Sequence, residues 1–197
     1  MTTVAGERAS AGARSVEHGL DQGEITARLR EVAGFEASVK LTPIGKLLRV
    51  VGLTPAFASV YRRIGPPLDL WLGRRFKGQV AGRMYGLPAL VLVTTGKKTG
   101  LRRPSPLLYL RDGDDFLIVG TNFGQGHHPA WTANLLSEPR AEIEVGPATL
   151  PVVASPIEEP EFARCWERFV ALYPGYAGYL ERSGRKPHMF RLRPATR

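Results

Sequence analysis

The chain has 197 residues, of which 43% are hydrophobic and 23% charged, a composition typical of a globular protein. No apolar run approaches the roughly 20 residues that a membrane-spanning helix needs, and a single cysteine excludes a disulfide scaffold or a thiolate metal cluster. The net charge is +9, and residues 70–111 contain nine basic side chains and no acidic one. This one segment therefore accounts for the whole imbalance, which predicts an anionic partner.

The N-terminal third divides into two segments of different composition. No apolar stretch follows Met1, so we expect residues 1–40 to form a flexible tail of a cytoplasmic protein, with one marginal helix from Ile25 to Val39. Residues 41–76 mix apolar and basic side chains, and four prolines divide them into short helices. Such helices are typical of a lid over a domain core or of a peripheral contact with a membrane surface, on the inner face in a cytoplasmic protein.

Residues 77–197 are predicted to form one β-rich domain. Apolar or alternating segments indicate six strands, at residues 88–95, 106–111, 115–121, 141–145, 150–154 and 189–192. Helical spacing and proline positions indicate two helices, at residues 129–137 and 158–173. Strands of this length, joined mostly by short turns, favour a small antiparallel β-barrel with flanking helices, of the α+β class, over a parallel sheet.

The segment from Thr94 to Arg103, TTGKKTGLRR, connects two of these strands and is a candidate anion site. Its glycines allow a tight turn that exposes backbone N–H groups, and two lysines and two arginines surround those donors. This combination suits a phosphate or a carboxylate, although a solvated basic turn has the same composition. The spacing matches neither a Walker A loop nor a dinucleotide-binding fingerprint.

Two further segments carry candidate binding residues. A glycine-containing loop leads through His127, His128 and Pro129 into a predicted helix whose N-terminus can face a ligand. The adjacent histidines have no evident third ligand, so we predict no metal site. Tyr173, Tyr176 and Tyr179 follow at intervals of three, and their hydroxyls can donate hydrogen bonds or protons to a substrate. Tyr173 also continues the apolar stripe of the preceding helix, which favours a core position for it.

Three motifs occur in order within residues 74–194: TTG-basic-Lys-Ser/Thr-Gly, then Arg-x-x-Pro, then His-Pro-x-Trp-x-x-Asn-Leu. Together they resemble the deazaflavin-dependent nitroreductase family, also described as F420H2-dependent quinone reductases. The resemblance implies a split β-barrel with coenzyme F420, an 8-hydroxy-5-deazaflavin, bound across the barrel face. It also implies hydride transfer from the reduced coenzyme to a small-molecule acceptor such as a quinone or a nitroaromatic compound.

The resemblance also implies roles for residues at matching positions. The cofactor's phosphate and oligoglutamate tail would be held by Lys97, Lys98, Thr99, Gly100 and Arg103. The other side of the cofactor would be lined by Pro129, Ala130, Trp131 and Asn134. The three tyrosines would line the substrate pocket, with Tyr176 or water as the proton source.

The sequence departs from the family pattern after the third predicted strand. Thr121 and Asn122 stand where the family often has Ser-Lys, so one phosphate-facing cation is missing from this cofactor-binding pair. Arg102 is a candidate replacement for that cation. Three alternatives use similar features: a non-catalytic carrier of F420 or a lipid, an FMN-binding oxidoreductase of the same barrel type, and a nucleic-acid binder. The last is not expected, because the basic segment lacks an aromatic stacking platform, and no oligomeric state is predicted.

Overall fold

The computed structural model describes residues 19–39 and 86–196. The predicted lid or membrane segment, residues 41–76, lies outside them. The helices are α1 (Gln22–Ser38), α2 (Ala130–Ser137), α3 (Glu161–Leu172) and α4 (Gly175–Ser183), with a 3-10 turn at Asn122–Gly124. The strands are β1 (Ala89–Thr95), β2 (Arg102–Asp112), β3 (Asp115–Val119), β4 (Arg140–Val145), β5 (Ala148–Pro156) and β6 (Met189–Pro194).

The six strands form a closed antiparallel barrel in the order β1-β2-β3-β6-β5-β4. Pairing of β1 with β4 closes it, with Leu92 opposite Ile143. The predicted α+β antiparallel barrel is thus confirmed. Strand β2 begins at Arg102, earlier than predicted, and pairs with the end of β1 so that Thr94 lies opposite Arg103. Strand β3 ends at Val119 instead of residue 121, because the chain turns sharply through a segment of positive φ.

Two apolar clusters hold the fold together. The first combines inward-facing strand residues such as Leu92, Phe116 and Ile143 with side chains from α1 and α2. The second lies between the outer face of β3 and helices α3 and α4, and includes Leu117 and Phe169. Because β3 has alternate side chains in the two clusters, both of its faces are buried. Strand β3 therefore links the barrel interior to the helical layer.

Helix α1 is observed where the sequence predicts a marginal helix. Asp21 and Glu24 form a capping box, in which each side chain accepts a hydrogen bond from the other's backbone N–H, at 2.8 and 2.9 Å. Its buried residues include Val32 and Phe35, and the Phe35 ring packs against Gly146 in the β4–β5 turn. Within residues 19–39 the expected tail is therefore a packed helix. The division of the chain into segments 1–40, 41–76 and 77–197 stays a prediction.

Helix α4 is an element that the sequence reading missed. Pro174 and Gly175 end the helix predicted at residues 158–173, and α3 does end at Leu172. A second helix nevertheless begins at Gly175, because Pro174 has helical φ and ψ of −57° and −22° and so starts a new turn. It ends at Gly184, whose φ is +60°. Tyr176 and Tyr179 consequently share the buried face of one helix.

Candidate functional site

The basic turn, residues 96–101, is a compact hydrogen-bonded loop between β1 and β2. Gly96 N–H donates to the Leu101 carbonyl at 2.8 Å, and Gly100 N–H donates to the Gly96 carbonyl at 2.7 Å. Gly100 has φ of +65°, a conformation that favours glycine. Lys97 and Lys98 are exposed on this turn. The turn therefore presents two cations to solvent from a fixed backbone.

The charges beside this turn are mostly unpaired. In the part of the chain that the structure describes, Lys97, Lys98 and Arg103 form no ion pair with a carboxylate. Arg103 instead lies 3.4 Å from the Thr99 hydroxyl, to which its Nη2 donates. Arg102 is different, because its Nη2 lies 2.7 Å from Oε1 of the buried Glu142. The candidate replacement cation is thus already neutralised, whereas the other three are available to an anion.

The Asn134 side chain links helix α2 to the start of the basic turn through two hydrogen bonds. Its Nδ2 donates to the Thr94 hydroxyl at 2.9 Å, and its Oδ1 accepts from the Lys97 backbone N–H at 3.0 Å. The side chain is 7% exposed, so these are nearly dry hydrogen bonds. Both polar groups of Asn134 are therefore engaged within the protein, and the residue positions the turn.

The loop of residues 120–128 lies against the N-terminal part of helix α2. Asn122 and Phe123 have φ of 49° and 54°, which is strained for residues other than glycine. A Cβ at Gly120 would lie 2.8 Å from the Thr132 methyl carbon, so this loop approaches α2 more closely than any larger residue allows. Helix α2 therefore contacts both the basic turn and the loop that contains Thr121 and Asn122.

An aromatic cluster continues from this loop to helices α3 and α4. The rings of Phe123 and Tyr179 lie 6.1 Å apart, and Tyr176 packs 6.0 Å from Tyr179 and 5.4 Å from Tyr173. Burial raises the pKa of Tyr176, with a smaller contribution from Tyr173. Burial and a hydrogen bond with Tyr173 raise the pKa of Tyr179. Both hydroxyls are neutral at pH 7, as tyrosines ordinarily are, and the raised pKa makes their ionisation still less favourable. A neutral hydroxyl can donate a hydrogen bond.

The residues at the entry to α2 have different surroundings. Trp131 is buried and packs 5.8 Å from Phe190, which makes it part of the barrel core. Ala130 is exposed and Pro129 partly exposed, so these two can contact a ligand. His128 stacks on His188 with ring centroids 3.9 Å apart. Burial, His188 and Arg185 lower the pKa of His128, which favours its neutral form.

Two residues of this region were missed by the sequence reading. Phe123 joins the loop to the tyrosines, and Arg185 donates hydrogen bonds to backbone carbonyls of the same loop. Glycine-rich flanks gave no periodic signal for Phe123. Arg185 lies 57 residues from His128 in sequence, so no local motif connects them.

Other features of the described residues lie apart from this region. A cavity of about 300 Å³ is lined by residues that include Phe35, Tyr109 and Arg111, near the end of β2 distant from the basic turn. Residues 19–39 and 86–196 contain no group of three or more His, Cys, Asp or Glu side chains placed to hold a metal ion. None of the helices described there is both long and apolar enough to span a membrane.

Comparison with known proteins relates this arrangement to one family. The sequence profile described as F420H(2)-dependent quinone reductase matches residues 68–191. An F420H(2)-dependent quinone reductase of Mycobacterium tuberculosis is 41% identical over 97 residues, which cover 48% of this chain and 65% of that protein. The chain thus spans just under two thirds of that relative's length. A solved structure described as an F420-H2 dependent reductase is 29% identical, with a TM-score of 0.50, over 53% of this chain and 93% of the other.

Proposed function

Because the chain belongs to the F420H(2)-dependent quinone reductase family, we propose that it is an oxidoreductase using reduced coenzyme F420. Its acceptor would be an electrophilic small molecule such as a quinone, with nitroaromatic compounds as a second class. The observation that carries the proposal is a continuous set of contacts. The basic turn is joined through Asn134 and helix α2 to the loop of residues 120–128, and that loop is joined through Phe123 to the tyrosines.

The donor set of this region fits the proposed coenzyme. F420 carries a phosphate and an oligoglutamate tail, both anionic. Lys97, Lys98 and Arg103 supply three cations without carboxylate partners among the described residues. An exposed lysine or arginine binds phosphate with charge-assisted hydrogen bonds, which are stronger than neutral ones. These cations together with Thr99 and Gly100 would hold the anionic part, and Thr121, Asn122, Pro129 and Ala130 would flank the ring system.

The protein's own part in the reaction is binding, orientation and protection from water. When bound, the reduced deazaflavin supplies a hydride from its C5 position. Asn134 fixes the backbone of the basic turn relative to α2, which sets where the anionic tail is held. The aromatic cluster forms an apolar wall beside the loop, which suits a flat, apolar acceptor such as a quinone.

The tyrosines would stabilise the acceptor as negative charge develops on its oxygen. Tyrosine hydroxyls are protonated at neutral pH, and burial, which raises the pKa of Tyr176 and Tyr179, makes loss of the proton still less favourable. A protonated phenol can donate a hydrogen bond, and a raised pKa makes it a poor source of a fully transferred proton at neutral pH. Tyr173 is half-buried, whereas Tyr176 and Tyr179 are buried, and its ring contacts both of theirs. We therefore assign hydrogen-bond donation to Tyr176 and Tyr179, with water supplying the proton through Tyr173.

A titration of the purified chain with F420, followed by tryptophan fluorescence, tests the binding half of the proposal. The Lys98→Ala/Arg103→Ala variant should bind about tenfold or more weakly at low salt. Its difference from the wild type should shrink as salt is raised, because salt screens exposed charges. Arg164→Ala, an exposed arginine on α3, serves as the matched control and should bind normally. An unchanged dissociation constant in the double variant would remove these residues from the site.

The same protein distinguishes the alternative functions. Tight F420 binding without oxidation of the reduced coenzyme, across a panel of quinones, nitro compounds and enones, would favour a carrier. A yellow protein that carries FMN as purified would favour a flavin oxidoreductase. The carrier test uses a panel of acceptors and the FMN test uses none, so neither result depends on the choice of one acceptor.

We also propose that the protein is cytoplasmic and that residues 41–76 bring it to a membrane surface, where lipid-soluble quinones reside. The support is their sequence, which places basic and apolar side chains on short proline-bounded segments. Sedimentation with vesicles containing phosphatidylglycerol should exceed that with pure phosphatidylcholine, because anionic headgroups attract basic residues. Replacing Arg74 and Arg75, at the end of this segment, together with the adjoining Lys77 by Ala should abolish the difference. Equal binding to both vesicles would contradict this proposal and leave the reductase proposal untouched.

A further inference from the structure

Arg185 lies just after helix α4 and directs its guanidinium into the loop of residues 120–128. Nε donates to the Gln125 carbonyl at 3.0 Å. Nη2 donates to the Thr121 carbonyl at 3.1 Å and to the His127 carbonyl at 3.0 Å. Both terminal nitrogens also lie 3.3 Å from the Gly120 carbonyl. One side chain thus binds carbonyls at both ends of the loop.

The charge of Arg185 is balanced in an unusual way. Partly buried arginines commonly pair with a carboxylate, yet Arg185 forms no ion pair with any carboxylate in the described ranges. Backbone carbonyl dipoles and one histidine nitrogen take the place of that carboxylate. A guanidinium presents five N–H donors in a planar fan, which matches several carbonyls at once. The contacts are therefore specific to the loop's backbone shape.

The loop needs such support because its backbone is strained. Asn122 and Phe123 have consecutive positive φ values of 49° and 54°. Residues held in this region persist only where their surroundings enforce it. Arg185 binds carbonyls on both sides of the pair, and the Asn122 side chain adds a bond to the His127 carbonyl at 3.0 Å. Among these contacts, those of Arg185 bridge the greatest number of loop residues.

Arg185 also determines which ring nitrogen of His128 carries the proton. Nη1 lies 2.9 Å from His128 Nδ1. An arginine can only donate, so Nδ1 must accept, and the ring proton of neutral His128 must be on Nε2. His128 immediately precedes Pro129 and the helix that contacts the basic turn. The guanidinium therefore couples the loop's shape to the orientation of a hydrogen-bond donor at the start of α2.

We propose that Arg185 is a positioning residue, which holds the loop of residues 120–128 in the shape that binds the ligand and fixes His128 as the Nε2–H tautomer. The ligand part of this inference rests on the proposed function, because Thr121, Asn122 and Pro129 flank the proposed coenzyme. The tautomer part does not, because it concerns only the chain itself. An arginine acting solely as a positive charge would tolerate lysine, whereas a fan of directed donors would not.

The test compares Arg185→Lys and Arg185→Ala with Arg164→Lys, which makes the same charge-conserving change at an exposed position. Both Arg185 variants should bind F420 about tenfold or more weakly than wild type, whereas Arg164→Lys should match it. Millimolar guanidinium should restore part of the affinity of Arg185→Ala and should leave that of Arg164→Lys unchanged. Normal affinity in Arg185→Lys would overturn the positioning role in ligand binding.

A second measurement keeps the inference testable without the coenzyme. Nitrogen-15 NMR of the histidine rings should show His128 as the Nε2–H tautomer in the wild type and a mixture of tautomers in Arg185→Lys. Amide hydrogen exchange in residues 120–128 should accelerate in that variant and stay unchanged in Arg164→Lys. If wild type does not bind F420, the proposed function fails while these readouts still decide the role of Arg185. An unchanged tautomer and unchanged exchange would overturn it.

Discussion

Replacing Asn134 by Ala should loosen the basic turn from helix α2 without changing the charge of the site. The substitution removes the 2.9 Å bond to the Thr94 hydroxyl and the 3.0 Å bond to the Lys97 N–H. Each such bond stabilises a fold by about 1 kcal/mol. The lost side-chain volume adds a small cavity at a position that is 7% exposed. We expect the free energy of unfolding to fall by about 2–3 kcal/mol.

Urea unfolding measures this loss, and a double-mutant cycle with Thr94→Val identifies its source. The valine removes only the hydroxyl, so it should cost about 1–2 kcal/mol alone. The two changes share one hydrogen bond, so their combined cost should fall short of the sum by about 1 kcal/mol. Ser137→Ala, at the exposed end of the same helix, should change stability by less than about 0.5 kcal/mol. Full additivity, or a loss in Asn134→Ala no larger than in Ser137→Ala, would refute the fastening role.

Three further predictions follow from the same packing. Gly120→Ala should cost about 1–3 kcal/mol in urea unfolding, because its Cβ would lie 2.8 Å from a helix α2 methyl carbon. Gly126→Ala should cost far less, because its Cβ would meet no atom of residues 19–39 or 86–196 within 4 Å. Gly146→Ala should lower the melting temperature more than Gly113→Ala. Both glycines have positive φ (+57° and +62°), but only a Cβ at Gly146 would meet a ring of α1, at 2.5 Å. Equal losses in the two variants would argue against docking of α1. Because the folded state lowers the pKa of His128, its neutral form contributes stability above the unfolded value of about 6.5. That contribution should disappear as pH falls through the lower pKa of His128 in the folded state. If the urea midpoints of the wild type and of His128→Asn depend on pH in the same way, this prediction is wrong.

Local patterning predicted most of the barrel because each strand has its own signal. The run from residue 88 to 95 is almost wholly apolar and β-branched, and the structure has β1 at Ala89–Thr95. Gly113 lies in the tight turn between β2 and β3, and its φ of +62° is a conformation that glycine adopts readily. Closure by pairing β1 with β4 joins residues about 50 apart and leaves no local pattern. Such contacts depend on the whole chain, which is why the sequence indicated a barrel without its strand order.

The candidate site was predicted less completely, for reasons that individual residues illustrate. The cations of the basic turn were visible as composition, but the pairing of Arg102 with Glu142 was not. Asn134 and Trp131 were both expected to line the cofactor, yet Asn134 holds the basic turn against α2 and Trp131 packs in the barrel core. Helix α4 was missed because proline followed by glycine ends helices as readily as it starts them. Side-chain partners that come from distant elements decide each of these roles.

The proposed activity of this chain is the oxidation of reduced F420 by a quinone. Reduced F420 mixed anaerobically with menadione and the purified protein gives a direct measurement, through the return of the oxidised deazaflavin's absorbance. The initial rate should rise in proportion to protein concentration, saturate with menadione, and fall about tenfold or more in Lys98→Ala/Arg103→Ala at limiting coenzyme. A rate no higher than that without protein, from a chain shown to bind the coenzyme, would contradict the account.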